Sequence, residues 1–126
     1  MSTFASGPVF SLSDKFIAKF KGKQPKWGPL GYLVYMRSYS RTLDNDKHEE
    51  FWQTCQRVVE GVFTTQLRHC KNTGLPWNAR KAQKSAQEMF QRMWEFKLLP
   101  PGRGLWAMGT DFVWEKGSSP LLNCGF

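Results

Sequence analysis

The residues of this chain best suited to redox chemistry are three thiols, Cys55, Cys70 and Cys124. A thiol gives up an electron and a proton together, and a disulfide made from two of them can be reopened by exchange. Three is an odd, sparse count for a secreted disulfide scaffold, so free thiols in a reducing compartment are expected. Neither the cysteines nor His48 and His69 fall at zinc-ligand spacing, and no metal site is expected. There is no Ser/His/Asp set and no paired carboxylates, and Gly102-Arg103-Gly104 lacks the third glycine of a phosphate-cradling loop. Cys55 falls on the apolar face of a helical pattern and reads as core. Cys70 follows His69 at a helix end and reads as an incidental surface thiol. Cys124 follows Leu121, Leu122 and Asn123. On residue types alone it is a buried, inert cysteine, and Asn123 either orients that thiol or bonds within its own turn.

Positioning such groups requires elements, and the periodicity predicts several. Residues 1–10 read as a loose N-terminus. Helix is expected from Ser11 or Ser13, with Leu12, Phe16, Ile17 and Phe20 on one face. Lys21 to Pro29 reads as a loop, and Leu30 to Tyr39 is apolar and aromatic but too short to assign. Asp44 or Asp46 can cap a long amphipathic helix running from Lys47 to about Cys70, marked by Phe51, Cys55, Val58, Val59, Val62 and Leu67. Gly74 and Pro76 should end it. Asn78 is the expected cap of a second helix, with Ala82, Ala86, Met89, Phe90, Met93 and Trp94 inward and Pro100-Pro101-Gly102 as its stop. Leu121 to Phe126 reads as the start of a buried strand. The expected organisation is mainly α: helical from residue 11 to 101, then a lead-in and first strand from 102 to 126.

Several stretches, in order, resemble the adenosylcobalamin-dependent ribonucleotide reductases of the ribonucleoside-triphosphate type. Lys26-Trp27-Gly28-Pro29-Leu30-Gly31-Tyr32, running on to Arg37-Ser38-Tyr39-Ser40-Arg41, is similar to their N-terminal signature. Arg57-Val58-Val59-Glu60-Gly61 is similar to their first long helix. Pro101-Gly102-Arg103-Gly104-Leu105-Trp106, through Gly109-Thr110-Asp111 to Asn123-Cys124-Gly125-Phe126, resembles the lead-in to their first barrel strand. The Trp-Gly and Tyr-Ser-Arg signatures point to the cobalamin type among reductases that share the barrel.

The resemblance implies a ten-stranded α/β barrel whose body lies outside this chain. It implies adenosylcobalamin as cofactor, with contacts also outside, a ribonucleoside triphosphate as substrate, and a thioredoxin-type reductant. In that family cobalamin homolysis yields a thiyl radical that abstracts the 3′-hydrogen, and a cysteine pair supplies two electrons. Cys124 matches the first member of the pair. Arg103 either faces solvent or sits where the family approaches the substrate phosphates, which suits a guanidinium, and Asn123 is placed to orient the thiol or the ribose. Trp27, Tyr32, Tyr35 and Tyr39 are then expected to pack against the barrel rather than to stack on bases. The radical-bearing cysteine, its carboxylate and the second redox cysteine fall beyond Phe126. By itself the chain is therefore expected to be inactive, as a fragment or as one half of a split enzyme.

Composition is compatible with that reading. In 126 residues, 40% are hydrophobic and 15% aromatic, too apolar for a disordered tail. The net charge is +8 and the pI about 9.7. A basic helical nucleic-acid-binding module is the rival reading of that charge, but the lysines and arginines are scattered and no nucleic-acid motif accompanies them. Met1 to Gly7 carries no charged leader and no spanning run follows, so a cytoplasmic protein without a membrane segment is expected.

Overall fold

Cys55, Val59, Phe63 and Leu67 recur every fourth residue, and such a stripe leaves water only when its helix lies against another element. In the computed structural model, which describes residues 7–28, 30–43, 46–100, 105 and 108–110, that packing is made. Four helices form among these residues: α1 (Asp14–Ile17), α2 (Gly31–Ser38), α3 (Phe51–Thr73) and α4 (Ala79–Trp94). The antiparallel pair α3 and α4 is the frame, and one core runs between them. Val59, Cys55, Ala86, Phe90 and Met93 are fully buried there. Each large apolar side chain so buried contributes about 1.5–3 kcal/mol.

The ends of the helices follow local chemistry. Asn78 caps α4 as expected, its side chain accepting from the Lys81 N–H at 3.1 Å. Gly74 closes α3 in the left-handed conformation at φ 72. The start of α3 differs from the sequence reading: it begins at Phe51, not near Lys47, and its cap is Glu50 in a reciprocal box with Gln53. Asp46 instead sits in a turn at φ 60, and Asp44 lies outside the described residues. Residues 46–49 return alongside residues 41–43 through the antiparallel bridge Thr42–His48. At the other end α3 runs to Thr73, three residues past Cys70.

Two further expectations are corrected. The first helix starts where expected, with Ser13 at its N-cap position, but it is a single turn and leaves out Leu12, whose N–H goes to Glu60 of α3 as that of Phe10 goes to Thr64. The intended face is buried nonetheless, with Leu12, Phe16 and Ile17 inside. Helix α4 stops at Trp94, well before Pro100; Phe96 takes φ 60 and turns its ring onto Trp27 and Phe51. The apolar stretch after Leu30 proves to be helix α2. Trp27 and Tyr35 pack on this chain's own residues, stacked on each other at 5.4 Å with Phe51 edge-on to both.

No strand forms among the described residues, and the expected strand at Leu121 to Phe126 lies outside them. Among the described residues no helix is long and apolar enough to cross a membrane.

Candidate functional site

Cys124, Asn123 and Arg103 all lie outside the described residues. What the structure does define is the stretch between Arg103 and Cys124 where it meets the helical frame, at Leu105 and Met108 to Thr110. Leu105, Gly109 and Thr110 are buried.

A buried ion pair receives them. Arg57 projects from α3, and Glu49 comes from the extended residues just before that helix. Arg57 Nη2 donates to Glu49 Oε1 at 2.8 Å and Nε to Oε2 at 3.1 Å, a two-point contact with side-chain exposures of 13% and 4%. The same guanidinium donates from Nη1 to the Met108 carbonyl at 2.7 Å and from Nη2 to the Leu105 carbonyl at 2.5 Å. Its planar fork serves a carboxylate on one edge and two backbone carbonyls on the other, which an ammonium could not do.

Glu49 is itself held on every side. Thr54 Oγ1 donates to its Oε1 at 2.6 Å, and the Arg41 N–H approaches that oxygen at 3.4 Å. Tyr35 and Ser40 donate to the Glu49 carbonyl at 3.0 and 2.7 Å. The Tyr35 hydroxyl also lies 2.5 Å from Thr54 Oγ1. Burial pushes the Tyr35 phenol up from its ordinary range, so it stays protonated and able to donate. A buried charged pair is tolerable when its remaining donors and acceptors are met, as they are here.

Backbone contact completes the junction. A Cβ on Gly61 would lie 2.7 Å from the Gly109 Cα, and one on Gly109 would lie 2.4 Å from the Arg57 carbonyl oxygen. Gly109 also sits at φ 80. Neither position has room for a side chain, so the chain crosses α3 in backbone-to-backbone contact one helical turn beyond Arg57.

Elsewhere on α3, Glu60 and Thr64 hold the N-terminal segment. Glu60 Oε2 accepts from the Leu12 N–H at 2.8 Å and Gln56 at 3.2 Å, while Thr64 Oγ1 accepts from the Phe10 N–H at 3.0 Å. Burial pushes the Glu60 carboxyl up, against the pull of those two donors. A carboxyl raised in the folded state contributes stability below its unfolded pKa and loses it as pH rises through the folded value. Replacing Glu60 with glutamine should therefore become progressively less destabilising as pH is taken from acid to neutral. Paired urea titrations across that range would show it; a difference independent of pH would contradict it.

Of the thiols described, Cys55 is fully buried, and burial first, then the charge of Glu49, pushes it far up, leaving an unreactive thiol. Cys70 is half-buried near the end of α3. Among the described residues no three His, Cys, Asp or Glu side chains gather where they could hold a metal ion. The Glu49–Arg57 pair was not singled out from the sequence. Its signal is an arginine inside the apolar stripe of an amphipathic helix, with a carboxylate eight residues earlier and just ahead of the first turn.

Comparison with known proteins places this geometry. The family model described as the ribonucleotide reductase alpha domain matches residues 12–110. A probable adenosylcobalamin-dependent ribonucleoside-triphosphate reductase of Dictyostelium discoideum is 44% identical over 120 residues, 93% of this chain and 16% of that protein. The adenosylcobalamin-dependent ribonucleoside-triphosphate reductase of Euglena gracilis is 41% identical over 121 residues, 93% of this chain and 17% of its own. The crystal structure of a B-12 dependent (class II) ribonucleotide reductase is similar with a TM-score of 0.76 and 31% identity, covering 90% of this chain and 16% of that one. The chain thus spans only 16–17% of the length of these relatives.

Proposed function

The chain belongs to the ribonucleotide reductase alpha family, and on that premise we propose that it is the N-terminal part of an adenosylcobalamin-dependent ribonucleoside-triphosphate reductase. The observation that carries the reading is joint likeness in sequence and in fold to reductases of that kind over nine-tenths of the chain. The helical frame serves as the platform from which the chain runs into the catalytic barrel, contributed by the rest of the reductase.

In this reading Cys124 is one of two redox cysteines, its partner lying beyond residue 126. Each thiol gives one proton and one electron; the sulfur–sulfur bond forms as the ribose 2′ carbon–oxygen bond breaks, a carbon–hydrogen bond replaces it, and water leaves. A dithiol protein of thioredoxin type then reopens the disulfide by exchange. Arg103 contacts the substrate phosphates and Asn123 orients the thiol or the ribose.

The described residues do not fit the cofactor. Their buried polar side chains are spent internally, Glu49 on Arg57 and Glu60 on the Leu12 N–H, and His48 and His69 are at the surface. The cobalamin contacts are assigned outside this segment, and no step here runs through it. The test is to assay the complete reductase polypeptide carrying this segment with a ribonucleoside triphosphate, a dithiol and adenosylcobalamin. Deoxyribonucleotide should form only when all three are present; formation without cobalamin would rule out this type of reductase.

A further inference from the structure

We infer that Arg57, held in place by Glu49, is a positioning residue for substrate in the reductase reaction. This rests on the reading of Arg103 and Cys124 given above, but the argument begins from geometry that stands without it. The Leu105 and Met108 carbonyls are both donated to by one guanidinium, at 2.5 and 2.7 Å, and that guanidinium cannot swing away because two of its nitrogens are spent on Glu49. Glu49 is in turn fixed by Thr54 and by its own backbone bonds to Ser40 and Tyr35. Gly61 and Gly109 set the depth at which the segment lies on α3. Leu105, Met108 and Gly109 are thus each fixed against α3.

Arg103 stands two residues before the first of these points and Asn123-Cys124 follow the last along the same chain. A shift of Leu105 and Met108 on α3 would disturb the phosphate contact proposed for Arg103, and a weakened phosphate contact is a loss of binding that appears in KM. Nothing in the chemistry requires an arginine at residue 57 for folding alone. An apolar residue of similar volume paired with an uncharged residue 49 would fill the same space. The arginine adds a fixed address for two carbonyls.

The experiment uses the complete reductase. Arg57→Lys keeps a positive charge beside Glu49 but cannot serve both carbonyls and both carboxylate oxygens. Gly61→Ala leaves the ion pair intact and pushes on Gly109 instead, so the segment can be shifted without removing a buried charge. Thr64→Val is the control: it removes the acceptor for the Phe10 N–H, destabilising α3 without touching residues 105–109. Both Arg57→Lys and Gly61→Ala should raise KM for the ribonucleoside triphosphate about tenfold or more, the scale of one lost hydrogen bond to a charged group, while Thr64→Val leaves KM unchanged. Lost folded enzyme lowers the apparent kcat and leaves KM alone. A fall in kcat without a rise in KM in both variants therefore overturns the assignment, as does a KM within twofold of the parent. Cys124→Ser in the same preparation separates the two levels. If it turns over normally, the reading of the site falls; if it is dead while Arg57→Lys has a normal KM, only the positioning role falls.

Discussion

Replacing Cys124 with serine in the complete reductase should cut multiple turnover by about a thousandfold or more, the scale of loss when a covalently participating group is removed. Serine nearly matches the volume of cysteine, so the fold should survive. A hydroxyl cannot give up an electron and proton at the potentials a thiol does, nor close a disulfide. The other cysteines provide the contrast. Cys55 is fully buried, and burial holds its thiol protonated. Cys55→Ser should cost about 1–3 kcal/mol of stability if the hydroxyl finds no partner, with turnover per folded molecule unchanged. Cys70→Ser, at a half-buried site near a helix end, should change little of either. Turnover with a thioredoxin-type reductant, normalised to folded protein, distinguishes the three. Loss of turnover in Cys55→Ser with Cys124→Ser intact would reverse the assignment.

Phe90→Ala should be the most damaging single substitution to the frame, at about 3–5 kcal/mol. Phe90 is fully buried on α4 and is the ring on which several others converge. Phe16 meets it edge-on at 5.4 Å, Phe20 lies 4.7 Å away, and Trp94 stacks one turn later at 6.4 Å. Removing it opens a cavity bounded by rigid rings, which collapse poorly, so the upper part of that range is expected. Because Phe16 lies in the single-turn α1 and Phe20 just after it, the N-terminal segment should loosen first, with faster amide exchange at Ile17 to Lys21 before α3 is affected. Urea denaturation gives the magnitude. A cost below about 1 kcal/mol would mean the site repacks and that the aromatic cluster is not the keystone described.

The two long helices were legible because their signals are local. Val58, Val59 and Leu67 on one helix and Ala82, Ala86, Phe90 and Met93 on the other mark their faces by spacing alone, and Asn78 and Gly74 mark ends through chemistry that acts within one turn. The misplaced boundaries share a different origin. Helix does not run through Leu12 because its N–H is claimed by Glu60, 48 residues away, and a window along the sequence contains no trace of that partner. Glu50 takes the cap in place of Asp46 because residues 46–49 return alongside 41–43 at Thr42 and His48, with Asp46 in the turn. The Glu49–Arg57 pair was illegible for the same reason: it exists only once that return is made. The proposed catalytic positions came from resemblance rather than from spacing, since a leucine-flanked cysteine has no distinguishing pattern of its own.

The claim on which the rest depends is that Cys124 is oxidised by turnover, and one measurement addresses it directly. The complete reductase, fully reduced and freed of external dithiol, is given ribonucleoside triphosphate and cobalamin for a single turnover. It is then quenched in acid, alkylated and digested for peptide mapping. The expected result is one disulfide per deoxyribonucleotide formed, joining the peptide of Cys124 to a cysteine beyond residue 126, with Cys55 and Cys70 alkylated as free thiols once unfolded. Product formed in stoichiometric amount with Cys124 still fully alkylated would contradict it.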